Sequence, residues 1–291
     1  MTVAQLQPKI YADFVKILQT ERLSHAYLFD GGFASWEIAL FITQSQFCSE
    51  LVENLPCGTC RSCRLITRLE FSDLHVIEPI GQVIKTETIR EALRDFSRSG
   101  FEGDKQVFII RQAEKMHPNA ANSLLKIMEE PKTNVLIFLL TDDANLILPT
   151  IKSRCQQVFF PKNESYLRDF FARSGLLPNQ AKILAQLAKD QEEAETLVKS
   201  QKVLQQLQHL ERFLTVLFND SKSSFLEVAR LVTLFKEKSE QELVFKLLSF
   251  LLAEQLPKQM AFAYLERLYL AQKMWKSHVS FQNVLEYMVI S

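Results

Sequence analysis

The pattern of apolar residues changes near Pro161, and this change restricts the fold more than any other feature of the sequence. Before Pro161, short apolar runs alternate with stretches whose apolar residues recur at helical spacing. The runs are continuous, without alternating polar residues, which is typical of strands buried on both faces of a parallel sheet. They occupy residues 25–29, 74–77, 107–110, 135–140 and 158–160. The first part of the chain is therefore predicted to be an α/β domain with helices on both faces of the sheet.

After Pro161 the chain is predicted to be helical throughout. Gly175 is the only glycine from Glu164 onward, and leucines recur three and four positions apart between residues 204 and 217. Such stripes form the buried faces of helices in a bundle. Breaks at residues 174–178 and 189–195 predict a small helical unit followed by a larger one. The predicted fold class is α/β followed by all-α.

Charge and hydropathy argue against several classes of protein. Lysine plus arginine and aspartate plus glutamate both total 34, so the formal net charge is zero and the overall charge does not attract nucleic acid or an acidic membrane. No apolar run reaches the roughly 18 residues that a membrane span requires. Residues 1–14 lack the basic start and apolar middle of a signal peptide. We therefore expect a cytoplasmic protein without a membrane-spanning segment.

The first apolar run enters a glycine-containing loop at the place where a phosphate-binding loop would be expected. Such loops follow the template G-x-x-x-x-G-K-[ST], in which backbone N–H groups and a helix N-terminus face the phosphates. The match starts at Gly31 and Gly32, but Trp36 replaces the second glycine, Glu37 the lysine and Ile38 the magnesium-binding hydroxyl. We expect no nucleotide to bind here. From the loop alone, the alternative that it never served nucleotide stays open.

A second position of nucleotide chemistry is also altered. A working ATPase of this type carries an acidic pair after the strand at 107–110, where it holds magnesium and activates water. Here that strand is followed by Arg111 and Gln112, which cannot do so. Glu114 lies beyond the strand end and is expected to be a solvated surface residue. Two separate positions thus indicate the same loss of nucleotide chemistry.

Four of the five cysteines are clustered in the sequence. Cys48, Cys57, Cys60 and Cys63 have the spacing C-x8-C-x2-C-x2-C, which lets four thiolates surround one ion. Zinc suits four thiolates in tetrahedral geometry, and a site closed by four protein ligands leaves no position for a catalytic water. We therefore predict a structural Zn²⁺ site. A disulfide framework is less favoured in a chain with an odd number of cysteines and no sign of secretion.

Three sequence strings carry a family likeness. They are LSHAYLF at 23–29, AANSLLK at 120–126 with Glu129-Glu130-Pro131, and Ser153-Arg154-Cys155. With them the chain resembles the delta-prime family of bacterial DNA polymerase III clamp-loader subunits, which belongs to the AAA+ superfamily. The likeness covers about the first 160 residues, and the rest matches only as helical architecture. The strings also occur in the ATP-hydrolysing gamma/tau subunits, from which the degenerate loop separates this chain.

The resemblance implies a domain organisation and a set of partners. Residues 1–161 would form an AAA+-type parallel sheet sandwich with a zinc module at 48–63, residues 162–200 a small helical lid, and residues 201–291 a helical collar for oligomerisation. The lid lacks the second sensor arginine of active relatives, since residues 188–192 read AKDQE. The implied partners are gamma/tau and delta subunits, the sliding clamp, and primed DNA mainly through the complex; no membrane is implied.

Arg154 is the residue for which the resemblance implies a direct role in chemistry. In the family, the Ser-Arg-Cys motif supplies an arginine to the ATP of the neighbouring subunit, where it stabilises charge on the transferring phosphoryl group. The alternative is an arginine that pairs with a carboxylate at a strand edge. Cys155 is expected to be a small buried residue, not a reactive thiol.

Three hypotheses about function follow. The first is a non-hydrolysing clamp-loader subunit that has no catalysis of its own and supplies Arg154 in trans. The second is an active gamma/tau-type ATPase with an atypical phosphate loop, which would require nucleotide binding by the isolated chain. The third is a zinc-bearing DNA-binding or recombination accessory protein, which would need a basic stripe that the sequence does not show. We favour the first.

Overall fold

The computed structural model describes residues 2–96, 105–129, 134–219 and 221–290. The chain divides into two compact units, Met1–Asn163 and Glu164–Ser291. This division falls close to the predicted end of the first domain at residue 161. Within the described residues, no helix has both the length and the apolar character that crossing a bilayer would demand.

The first unit is built on a sheet of five parallel strands. The strands are β1 (Ala26–Asp30), β2 (Leu74–Ile77), β3 (Lys105–Ile110), β4 (Asn134–Thr141) and β5 (Gln156–Phe159). They lie in the order β2-β3-β4-β1-β5, with β4 at the centre. Strand β1 pairs with β4 on one side, with Phe29 opposite Leu140, and with the edge strand β5 on the other, with Phe29 opposite Val158.

Helices cover both faces of this sheet. Three of them begin with a proline at the first helical position, where the missing N–H costs no hydrogen bond. The helices are α1 (Val3–Leu6), α2 (Pro8–Gln19), α3 (Ser35–Phe47), α4 (Arg61–Thr67), α5 (Thr86–Phe96), α6 (Pro118–Glu129) and α7 (Pro149–Lys152), with 3-10 turns at Ala113–Lys115 and Ala144–Leu146.

The core of this unit lies in two layers, one on each face of the sheet. Tyr27 and Phe29 of β1 lie in the layer that contains residues of α2 and α3. Ala26 and Leu28 lie in the other layer, which contains residues of α5 and α6. Because alternate residues of β1 enter opposite layers, the whole run must be apolar. The predicted parallel sheet with both faces covered is therefore confirmed.

The second unit consists of helices alone among its described residues. Neighbouring helices pack as α8 with α9, α11 with α12, α13 with α14, and α14 with α15. The helices are α8 (Glu164–Arg173), α9 (Pro178–Leu187), α10 (Gln191–Lys199), α11 (Gln201–Asn219), α12 (Ser221–Leu234), α13 (Lys238–Gln255), α14 (Lys258–Lys276) and α15 (Phe281–Ile290). Because α9 also contacts α13, the boundary between a lid at 162–200 and a collar at 201–291 stays a prediction.

Candidate functional site

The loop after β1 keeps the backbone frame of a phosphate-binding loop. Gly31 and Gly32 have φ values of +98° and +77°, a conformation that side chains other than glycine rarely adopt. A Cβ on Gly31 would lie 2.4 Å from the carbonyl oxygen of Phe160, and one on Gly32 would lie 2.8 Å from Oδ1 of Asp142. Helix α3 then starts at Ser35. Strand, glycine turn and helix are therefore all in place.

The side chains at the chemically essential positions of this loop differ from those of the phosphate-binding template. Ile38 is fully buried in the core, so the position of the magnesium-binding hydroxyl faces away from solvent. Glu37 lies in the first turn of α3, where its carboxylate is favoured by the helix dipole that would otherwise favour phosphate. Trp36 is half-buried and packs against the core layer. The backbone frame of the loop is kept, and the template residues that contact phosphate and magnesium are replaced.

Two of the replacement residues contact each other. The guanidinium carbon of Arg111, just after β3, lies 4.8 Å from the centroid of the Trp36 ring. The same guanidinium pairs with Glu78, just after β2, with 2.7 Å between Nη1 and Oε1. Ligands of open α/β sheets bind beyond the carboxyl ends of the strands. At this edge the chain instead places an arginine between an indole and a carboxylate.

Further carboxylates surround the loop. The hydroxyl of Thr141 donates a hydrogen bond of 2.7 Å to Glu114, and the N–H of Ala144 donates one of 2.9 Å to Asp30. Glu114 is thus half-buried and engaged with the end of β4, which differs from the solvated surface role expected for it. Together with Asp142 beside Gly32, these groups bring negative charge to the place where a triphosphate would sit.

Arg154 follows the short helix α7 and is held by three contacts. Its Nη1 donates to the carbonyl of Thr150 at 3.0 Å and lies 3.3 Å from the hydroxyl of Ser153. Its Nη2 lies 2.5 Å from Oε1 of Glu129, the last residue of α6. About a third of the side chain, 36%, remains exposed. The chain thus has the ion pair with a carboxylate that the alternative to the trans role describes, while part of the guanidinium stays accessible. Glu130 and Pro131 of the motif lie outside the described residues.

Cys155, next to Arg154, is packed against the core layer that contains α6. Burial raises the pKa of its thiol to about 12. The thiol is therefore protonated near neutral pH and is a poor nucleophile. This agrees with the expectation that Cys155 is not a reactive thiol, although the residue is half-buried and not fully buried.

The four clustered cysteines come together in space. Their sulfur atoms all lie within 4.8 Å of one another, with 3.5 Å between Cys48 and Cys57 and 3.8 Å between Cys48 and Cys60. Four sulfurs at the usual zinc distance in a tetrahedron would be about 3.8 Å apart. Cys48 ends α3, Cys57 and Cys60 flank a turn at Gly58, and Cys63 lies in α4. The arrangement can hold one metal ion without an open coordination position.

Backbone N–H groups prepare these sulfurs for a cation. The N–H of Cys60 lies 3.2 Å from the sulfur of Cys57, and that of Cys63 lies 3.5 Å from the sulfur of Cys60. The Cys63 N–H lowers the pKa of Cys60 to about 6, and the Thr59 N–H lowers the pKa of Cys57. Burial raises the pKa of Cys63. Thiolates held by N–H donors are suitable ligands for a soft divalent ion.

Sequence reasoning missed three residues at these sites. Glu129 belongs to a motif that was recognised, but its pairing with Arg154 depends on how α6 and α7 pack. Glu78 and Asp142 follow β2 and β4, and their position after a parallel strand is a signal that could have indicated them. The remaining predicted residues lie where expected: the loop at the end of β1, Arg111 at the end of β3, and the cysteines in one cluster.

Comparison with known proteins identifies the family. The sequence model of the family described as "DNA polymerase III, delta subunit" matches residues 6–164, which is more than half of the chain. The delta-prime subunit of DNA polymerase III from Bacillus subtilis is 33% identical over 243 residues, covering 82% of this chain and 74% of that protein. The delta-prime subunit from Pseudomonas aeruginosa is 32% identical over 142 residues, covering 47% and 43%.

Two further comparisons concern related subunits. The tau/gamma subunit of DNA polymerase III from Haemophilus influenzae is 33% identical over 163 residues, which are 52% of this chain and 24% of that protein. The crystal structure of a DNA polymerase III gamma subunit-related protein from Thermotoga maritima aligns over 98% of this chain and 97% of that chain, with a TM-score of 0.50 and 20% identity. That likeness concerns the fold alone and agrees with the predicted fold class. The chain therefore belongs to the delta-prime family of DNA polymerase III clamp-loader subunits.

Proposed function

We propose that this chain is a non-hydrolysing clamp-loader subunit that completes the ATP site of a neighbouring subunit with Arg154. It assembles with gamma/tau and delta subunits in the cytoplasm and helps place the sliding clamp on primed DNA. The observation that carries this proposal is a contrast within one domain. Beside the chain's own phosphate loop, Arg111 contacts Trp36 of the loop, whereas Arg154 stays partly accessible.

The charge and the packing of the loop residues support the proposal that this chain has no ATP site of its own. Glu37 replaces the lysine that would neutralise phosphate, and the side chain at the magnesium position, Ile38, is buried. Arg111 occupies the place of the acidic metal ligand and is engaged by Trp36 and Glu78. The chain therefore lacks the lysine, the hydroxyl and the acidic residue after β3 that hold a magnesium triphosphate in a working site of this type.

The trans role of Arg154 is supported by its exposure and by its chemistry. A guanidinium stays charged at every physiological pH and presents planar N–H donors to phosphoryl oxygens. In this proposal residues 1–161 carry both the inactive loop and Arg154, residues 162–200 are the lid, and residues 201–291 are the collar that joins the ring. We further propose that the four-cysteine cluster holds a structural Zn²⁺, since its donor set and spacing fit that ion.

The competing hypothesis is an active ATPase of the gamma/tau type. Two observations favour it: the similarity to tau/gamma subunits and the preserved glycine turn. This hypothesis requires that the isolated chain bind MgATP in spite of Trp36 and Glu37.

Isothermal titration of the purified chain with MgATP separates the two hypotheses. A non-hydrolysing subunit is expected to give no saturable heat up to millimolar nucleotide, while a gamma/tau subunit titrated under the same conditions serves as the positive control. Saturable binding with one ATP per chain, together with hydrolysis by the chain alone, would contradict the proposal and favour the active ATPase.

A further inference from the structure

The ion pair between Glu129 and Arg154 joins two segments that are distant in sequence. Glu129 is the last residue of α6, and Arg154 lies two residues after the end of α7. The separation of 2.5 Å between Oε1 and Nη2 is that of a direct charged contact. Half of the Glu129 side chain and about a third of the Arg154 side chain remain exposed, at 50% and 36%. The contact therefore lies at the surface, where a neighbouring molecule can reach it.

The donors of Arg154 can be accounted for one by one. A guanidinium has five N–H donors in a fixed plane. The Nη1 group is engaged by the Thr150 carbonyl and the Ser153 hydroxyl, and the Nη2 group faces Glu129. Within the part of the chain that the structure describes, no acceptor engages the Nε–H. The contacts of Nη1 and Nη2 thus hold the guanidinium in place. The Nε–H and one N–H of Nη2 remain available to donate hydrogen bonds to an incoming oxygen.

The contact contributes little to the stability of the fold. Exposed ion pairs are screened by water and lose side-chain entropy on forming, so their net effect on folding is small. The ion pair can have a larger effect on the orientation of Arg154. A long arginine side chain has several rotatable bonds, and in the proposed trans role it must reach the phosphoryl group in a narrow range of positions. Glu129 removes part of this freedom before a neighbour arrives.

We propose that Glu129 is a positioning residue for Arg154, holding the guanidinium in the orientation in which its Nε edge meets the phosphoryl oxygens of the neighbouring subunit's ATP. This inference rests on the proposed trans role of Arg154. It assigns Glu129 no contact with nucleotide. It predicts that the effect of Glu129 on ATP hydrolysis passes entirely through Arg154.

The test uses complete clamp-loader complexes reconstituted with gamma/tau and delta subunits and stimulated by clamp and primed DNA. Four forms of this chain are compared: wild type, Glu129→Gln, Arg154→Ala, and the double variant. The substitution Glu129→Gln keeps the size of the side chain and removes its charge. It is expected to lower kcat about 10-fold or more with little change in the KM for ATP. Glu129→Asp, which keeps the carboxylate on a shorter stem, is expected to retain more activity than Glu129→Gln.

The control is Glu70→Gln, which changes an exposed glutamate away from the residues that contact Arg154; it is expected to behave as wild type. In the Arg154→Ala background, Glu129→Gln is expected to cause no further loss. An unchanged or faster rate for Glu129→Gln alone would overturn the inference, and so would an equal loss with and without Arg154. If Arg154→Ala itself leaves the rate unchanged, the proposed trans role fails and the inference fails with it.

Discussion

At the scale of single residues, the altered positions of the loop make contacts of their own. Trp36 and Arg111 each stand where a working site carries a residue of nucleotide chemistry, and the Arg111 guanidinium lies over the Trp36 ring. A cation–π contact contributes about 0.5–1 kcal/mol at an exposed site. Restoring a single ATPase residue in this loop would therefore break an existing contact without completing a site.

The glycines of the loop give a prediction about stability. Gly31→Ala places a Cβ 2.4 Å from a backbone carbonyl at a φ of +98°, so both strain and a clash arise. We expect the free energy of unfolding to fall by about 3 kcal/mol. Gly81→Ala is the matched control, because Gly81 has a φ of +74° but open space around its Cα. It should cost only about 1 kcal/mol. Urea unfolding checks both, and equal losses would mean that the close approach to Phe160 has no effect.

At the scale of elements, α3 links the inactive loop to the cysteine cluster. Its first turn follows the glycine turn, and Cys48 lies immediately after its last residue. Helix α4 carries Cys63 and is joined to α3 by the side chain of Gln44, which donates to the Cys63 carbonyl at 3.0 Å. Cys48 and Cys63 are therefore held by two joined helices, and Cys57 and Cys60 lie on the connection between them.

Thiol chemistry after metal removal gives a prediction at this scale. We expect brief alkylation at pH 7, after treatment with a strong chelator, to label Cys57 before Cys63 and Cys155, because N–H donors lower the pKa of Cys57 while burial raises the other two. The pKa of Cys60 is lowered, like that of Cys57, so we expect Cys60 to be labelled early as well. With a pKa of about 6, its thiolate is present at pH 7 and is lost as the pH falls through 6.

Peptide mass spectrometry measures the order of labelling, and atomic absorption measures the metal released. The untreated protein is the control: it should carry one zinc per chain and resist labelling at all four cluster cysteines. Equal labelling of the four with and without the chelator, and no released metal, would contradict a metal site.

Some elements of the structure could be predicted from the sequence, and others could not. The strands could be predicted because a parallel sheet buried on both faces requires continuous apolar runs, as in β1 and β3. The cysteine cluster could be predicted because its ligands lie close together in the chain. The Glu129–Arg154 pair and the contact of Arg111 with Trp36 and Glu78 could not, because each joins segments whose approach is set by tertiary packing.

At the scale of the whole molecule, the two units differ in what they present. The first, Met1–Asn163, holds the altered phosphate loop, the cysteine cluster and Arg154, and the family match falls almost entirely within it. The second, Glu164–Ser291, shows only helices among its described residues. A subunit that has lost its own ATP chemistry keeps its place in an assembly only if it contributes something to its partners. In this account the contribution from the first unit is Arg154.

The most direct test of this account is the ATPase rate of the reconstituted complex with wild-type chain and with Arg154→Ala, in the presence of clamp and primed DNA. Gel filtration must first show that both complexes assemble with the same composition. The account predicts that the rate falls by about 10³ or more, the usual effect of removing an arginine finger. An unchanged rate in a fully assembled complex would contradict it, and would show that Arg154 serves the structure of this chain and not the chemistry of its neighbour.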